Sequence, residues 1–160
     1  MKEIIIIAVM VAAGIAATAI TERTPAPDAE RAPVSNIYWS DGDSGRLDGQ
    51  PFRLANVDSP ETGGVGAIGG ARCEEEREIG YDAKEFIVEL TRNADVQIAR
   101  SYGADRYGRE VVDLNVNGQS LARIGLNAGH YRPWPHDGQR ALARKPDWCG
   151  SLGIEVAEAG

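Results

Sequence analysis

The chain has 160 residues, with 17 Lys and Arg against 24 Asp and Glu, a net charge of −7 and 42% hydrophobic residues. That length accommodates one domain with a sizeable core plus a tail, and crowds out two domains. Residues 1–30 carry four acids and two bases, so the remainder holds 20 acids against 15 bases, or −5, which excludes recruitment of nucleic acid by bulk charge.

Met1-Lys2-Glu3 precede an uncharged apolar run from Ile4 to Ile20. A spanning helix takes about 20 such residues, so residues 1–20 read as a signal peptide or a short membrane anchor. Ala17-Thr18-Ala19 supplies the small-x-small pattern of a cleavage site. Either reading places the rest of the chain outside the cytoplasm: periplasmic or secreted if cleaved, or anchored through residues 4–20 and facing the periplasm or exterior. Residues 21–35 hold three prolines and few large apolar side chains, as a disordered linker does. The folded domain is expected over 36–150, followed by a flexible tail at 151–160.

Ile37-Tyr38-Trp39 reads as a strand entering the turn Asp41-Gly42-Asp43. Asp48-Gly49 marks a hairpin between Arg46-Leu47 and a strand over Phe52–Val57, in which Phe52, Leu54 and Asn56 share one face and Arg53 the other. Gly45 stands where an apolar strand residue is expected and would loosen this hairpin. Gly63 to Gly70 forms a glycine-rich loop that either gates a site or connects.

From about Glu75 to Asn93 the period becomes helical, with Ile79, Ala83, Phe86, Ile87 and Leu90 on one stripe. Glu74, Glu75 and Glu76 fall in the first turn, as a solvated helix start favoured by the dipole. Val96–Ala99 and Val111–Val116 read as a hairpin around Tyr107-Gly108, and Leu121, Ile124 and Leu126 as a short helix closing at Gly129. Beyond it the prolines argue for irregular backbone, with at most a short helix over Gln139–Arg144. No internal repeat is present. Short strands with turn signals, interrupted by helices, describe a mainly β, α+β domain: a Greek-key barrel carrying two or three helices.

Cys73 and Cys149 are the only cysteines, and in an oxidising compartment an even count favours one disulfide over two buried thiols. A zinc site is disfavoured, since no Cys-x-x-Cys pair occurs and His130 and His136 lack a partner set.

Three of the acidic groups and the arginine in Asp41-Gly42-Asp43-Ser44, Arg53-Leu54 and Val57-Asp58-Ser59-Pro60-Glu61 look arranged for phosphate chemistry, and Asp105-Arg106-Tyr107-Gly108-Arg109 adds another arginine in a turn context. Each motif alone has a plain reading, as a turn, a loop or a surface ion pair. Together, and with Gly80 and Ala83 on the helix, they resemble the staphylococcal nuclease family over roughly Trp39 to Gly129. The resemblance implies an OB-type five-stranded Greek-key barrel and calcium-dependent cleavage of DNA or RNA, leaving a 3'-phosphate.

By that resemblance Arg53 and Arg109 contact the scissile phosphate, as two-pronged, permanently charged donors can. Glu61 activates or positions the attacking water. Asp43, Asp58 and the carbonyl of Ser59 are the Ca2+ ligands, hard oxygens suited to that ion, with Asp41 in the outer shell. Arg106 and Tyr107 line the nucleic-acid site, and Tyr131 and Trp134 either contact bases or pack the core. No obligate protein partner is implied, and a monomer is expected. The competing reading is a non-catalytic barrel of this family that binds nucleic acid or a protein.

Overall fold

The computed structural model describes residues 33–137 and 140–150. The segments expected to be a leader, most of a linker and a tail at 151–160 lie outside these residues. Among the described residues, no helix is long and apolar enough to cross a membrane.

The elements run β1 (Ile37–Trp39), β2 (Ser44–Leu47), β3 (Gln50–Leu54), β4 (Val57–Asp58), α1 (Glu74–Thr91), β5 (Val96–Ala104), β6 (Glu110–Val116), β7 (Gln119–Ser120), α2 (Leu121–Asn127) and β8 (Arg132–Pro133). The main sheet has the order β1-β2-β3-β6-β5, with β7 on β6, while β4 pairs with β8. All pairs are antiparallel except β3 with β6. Val34 N donates to Val96 O at 2.9 Å, joining the segment before β1 to β5 and bringing the two ends of the sheet together. This mixed sheet with two helices is the expected α+β, OB-type arrangement.

Local chemistry accounts for the turns. Asp48 and Gly49, at φ 49° and 87°, form the two-residue connection of β2 to β3, and Asn117-Gly118 repeats it at φ 49° and 79° between β6 and β7. Gly45 tightens the sheet, contrary to the loosening expected of it. A Cβ there would lie 1.9 Å from Tyr38 O, so only glycine allows β1 this close.

The core lies between the sheet and α1, around Phe52, Leu54, Ile87, Val112, Leu114 and Leu121. Each fully buried side chain of this kind contributes about 1.5–3 kcal/mol. Trp39 meets Phe52 edge-on at 5.1 Å and donates its indole N–H to Thr91 Oγ1 at 3.0 Å.

Three local expectations need correction. The strand expected over Phe52–Val57 breaks after Leu54, because Asn56 takes φ 62° and spends its carbonyl on Trp134 N and its Oδ1 on His136 N. Glu76 is not solvated: it is 1% exposed, its Oε2 accepts Arg72 N at 2.7 Å, and its own N–H reaches Cys73 Sγ, so it caps α1. The short helix allowed over Gln139–Arg144 does not form among the described residues there, which instead turn back in a His136–Ala141 bridge.

Cys73 and Cys149 form a disulfide. It fastens the irregular segment 140–150 to the start of α1. Arg72 Nη2 to Asp147 Oδ1 at 2.5 Å, Arg132 to the Asp147 carbonyl, and Gly150 N to Glu75 Oε2 at 2.7 Å hold the same segment down.

Candidate active site

The turn between β1 and β2 builds itself. Asp41 Oδ1 accepts the N–H groups of Asp43 and Ser44, at 3.1 and 2.8 Å, and both its oxygens accept Ser44 Oγ at 2.9 Å. Asp41 thus organises the turn that presents Asp43. Gly42 is required here, since a Cβ would lie 2.1 Å from Ser59 Oγ, and its carbonyl accepts the Tyr131 hydroxyl at 2.6 Å. Tyr131 is a buried pillar under the turn and has no face for a base.

Asp43, Arg53, Asp58 and Ser59 then converge. Asp43 Oδ2 accepts Ser59 N at 3.0 Å and lies 3.4 Å from Arg53 Nη2, while Asp58 Oδ1 is 3.9 Å from the same nitrogen. That nitrogen also donates to Val57 O at 3.1 Å, and the guanidinium stacks on Trp134 with its carbon 4.4 Å from the ring centre. Trp134 therefore holds Arg53, and is itself anchored by its indole N–H on Ala143 O at 2.9 Å. Arg53 Nε is buried with no acceptor.

Glu61 sits where the chain leaves β4 and crosses α1. A Cβ on Gly80 would come within 2.5 Å of Glu61 O, so the helix glycine lets this backbone lie against the helix. The Gly63–Gly70 loop that follows is closed by Gly66 N to Ala71 O at 2.9 Å and Ala71 N to Gly63 O at 3.3 Å.

Arg109 and Arg106 stand at the tip of the β5–β6 hairpin. Parallel register pairs Phe52 with Glu110, so Arg109 comes beside the strand that bears Arg53. Asp105 takes Arg109 Nε and Nη2 at 2.9 and 2.7 Å, fixing its direction. Tyr107, two-thirds exposed, carries Arg106 at 4.7 Å and Arg109 at 5.3 Å from its ring centre. This gives an exposed aromatic face flanked by two guanidinium groups.

Two contributors were not foreseen. Lys145 Nζ lies 2.6 Å from Glu61 Oε1 and 3.5 Å from Asp58 Oδ1, and Trp148 Nε1 donates to Asp58 Oδ2 at 2.8 Å. The signal available for them was the cysteine pair, which forces residues 145–148 toward the start of α1.

Burial, then the charge of Asp43, pushes Asp58 up to about 7 against the lowering pull of Lys145, Trp148 and Arg53. Burial, then Asp43 and Glu61, raises Asp41 to about 7 as well. Burial disfavours the charge on Lys145, yet Asp58 and Glu61 outweigh it and raise its pKa. Asp58 is thus held up chiefly by its burial, which the neighbouring cations offset only in part.

Among the described residues, no group of three or more His, Cys, Asp or Glu is gathered so as to hold a metal ion. The donors that do converge, the carboxylates of Asp43 and Asp58 on either side of Arg53 Nη2, are hard oxygens of the kind calcium prefers. The crowded carboxylates fit that ion.

Residues 51–137, more than half of the chain, match the family model of the staphylococcal nuclease homologues. The chain matches no curated protein. Asp41, Asp43, Lys145, Trp148 and Cys149 fall outside the matched stretch.

Proposed function

The chain belongs to the staphylococcal nuclease homologue family, and from that premise we propose that it is an extracytoplasmic, calcium-dependent phosphodiesterase that hydrolyses DNA or RNA. The observation that carries the reading is Arg53: a guanidinium clamped by Asp43, Asp58, Val57 O and the Trp134 face, with a buried Nε donor unspent. A buried unpaired donor on a fixed cation favours an anion arriving beside it.

Cleavage of a phosphodiester adds charge to the equatorial oxygens, so pre-positioned cations lower its barrier. Arg53 stabilises that charge, and Arg109, aimed by Asp105, serves from the neighbouring strand. Glu61 holds or deprotonates the attacking water. Asp43, Asp58 and the Ser59 carbonyl would hold calcium, with Asp41 shaping the turn behind them as the outer shell. Calcium, when bound, offsets the anionic charge of substrate and carboxylates. Tyr107, with Arg106, offers a face on which a base stacks. The disulfide supports an oxidising compartment, hence the periplasm or exterior.

A second reading, a non-catalytic module that binds nucleic acid or a protein, draws on the engagement of Glu61 by Lys145 at 2.6 Å and of Arg109 by Asp105. Incubating the oxidised protein with single-stranded DNA, duplex DNA and RNA, with calcium or with chelator, separates the two. Calcium-dependent cleavage to 3'-phosphate ends is expected. Binding without cleavage of any of the three would leave the second reading standing.

A further inference from the structure

Lys145 is the one lysine that the fold brings against the site carboxylates: after Lys2 the chain has only Lys84 and Lys145, and Lys84 lies on α1. Its ammonium bridges two carboxylates that the proposed chemistry uses differently, Glu61 at 2.6 Å and Asp58 at 3.5 Å. The backbone that carries it is pinned on both sides, by Trp134 Nε1 on Ala143 O and Leu142 N on Pro135 O before it, and by Trp148 on Asp58 and the disulfide after it. The charge is thereby tethered beside the carboxylates.

We propose that Lys145 is a resident counter-cation of the site, occupying Asp58 and Glu61 in the metal-free protein and competing with a divalent cation for Asp58. The inference rests on the phosphodiesterase reading above. A lysine suits this part. Its compact ammonium on a flexible stem can withdraw from Asp58 while keeping Glu61, whereas an arginine fork would grip both more rigidly. As a purely structural ion pair it would contribute little, because the side chain remains 36% exposed and solvent screens it. As a competitor it acts at Asp58, whose side chain is only 1% exposed, so that a second cation arriving at that carboxylate meets the repulsion of the ammonium already beside it. The consequence is a raised threshold: the site loads with metal only where calcium is plentiful.

Calcium binding to the oxidised chain, followed by titration calorimetry and by the calcium-induced rise in Tm, tests this with Lys145→Met and Lys145→Arg beside the wild type. Lys145→Met should bind calcium about tenfold more tightly, the size typical of coupling between neighbouring sites, and show the larger Tm gain. Lys145→Arg, which keeps the charge and grips both carboxylates more rigidly, should bind calcium no more tightly than the wild type. A merely structural lysine would give the opposite order, with the Met variant binding less tightly. Equal or weaker affinity in Lys145→Met, in a wild type that does bind calcium, overturns the competition alone. If neither the wild type nor any variant takes up calcium, the metal reading beneath it falls as well.

Discussion

The two halves of the site are built in opposite ways. Asp41 to Glu61 runs through the β1–β2 turn, the β2–β3 hairpin and the short strand after it, so that Asp43, Arg53 and Asp58 come from neighbouring stretches of sequence, with Tyr131 and Trp134 packed behind them. The segment 140–150 has no strand or helix of its own, and reaches Asp58 and Glu61 across 90 and 84 residues through a disulfide and side-chain contacts. A barrel can therefore fix the groups of a reaction rigidly while their counter-charges arrive on a separately fastened strap. On the proposed chemistry, the first half supplies the reacting groups and the second supplies charge beside them.

The largest effect that would break this division comes from the barrel half. Arg53→Ala and Glu61→Gln should each lower cleavage by about 100- to 1,000-fold, as loss of one transition-state stabiliser does, with circular dichroism unchanged. A folded Arg53→Ala protein that still cuts at the wild-type rate would remove Arg53 from the chemistry.

The strap is tested next. Cys149→Ala leaves the Cys73 cap on α1 available but opens a bridge between residues 76 apart, and should cost about 2–4 kcal/mol in urea unfolding. Full stability in the variant would mean that the strap is held by its ion pairs and indole contacts alone.

A smaller effect is expected at the pillar between the halves. Tyr131→Phe strands the buried Gly42 carbonyl and should cost about 1–3 kcal/mol, read from the unfolding midpoint.

The smallest effect is a pH dependence at the hairpin tip. Burial works against ionised Asp105, but hydrogen bonds from Arg109 and Tyr107 outweigh it and hold its pKa below 3.8. Its stabilising contribution is therefore present above 3.8 and is lost as pH falls through the depressed folded value. The stability gap between wild type and Asp105→Asn should be open at pH 7 and close on acidification. A gap that widens on acidification would reverse the assignment.

What could be read beforehand follows the same division. Asp48-Gly49, the alternation of Arg53 against Phe52 and Leu54, and the stripe on α1 are local patterns, and the structure carries them. Asn56 escaped because a left-handed residue leaves no mark on hydrophobic alternation, and Glu76 because a capping glutamate resembles a solvated one until Arg72 N is seen against it. The β4–β8 pair, Trp134 under Arg53 and Lys145 beside Glu61 join residues far apart in sequence. No periodicity encodes such meetings, and the cysteine pair was the only long-range constraint that could be read directly.

The indole of Trp148 on Asp58 also sets an order of events. Asp58 is synthesised 90 residues before its indole donor, and parallel pairing of β3 with β6 itself waits for residues near 110. Long-range closures of this kind are slow to form. The barrel can thus be assembled while its acidic mouth is still uncovered, and the cover is complete only once residue 149 has emerged and its thiol has been oxidised. On the extracytoplasmic reading proposed above, closing this cover is a step dated by the chemistry of the compartment in which the chain ends.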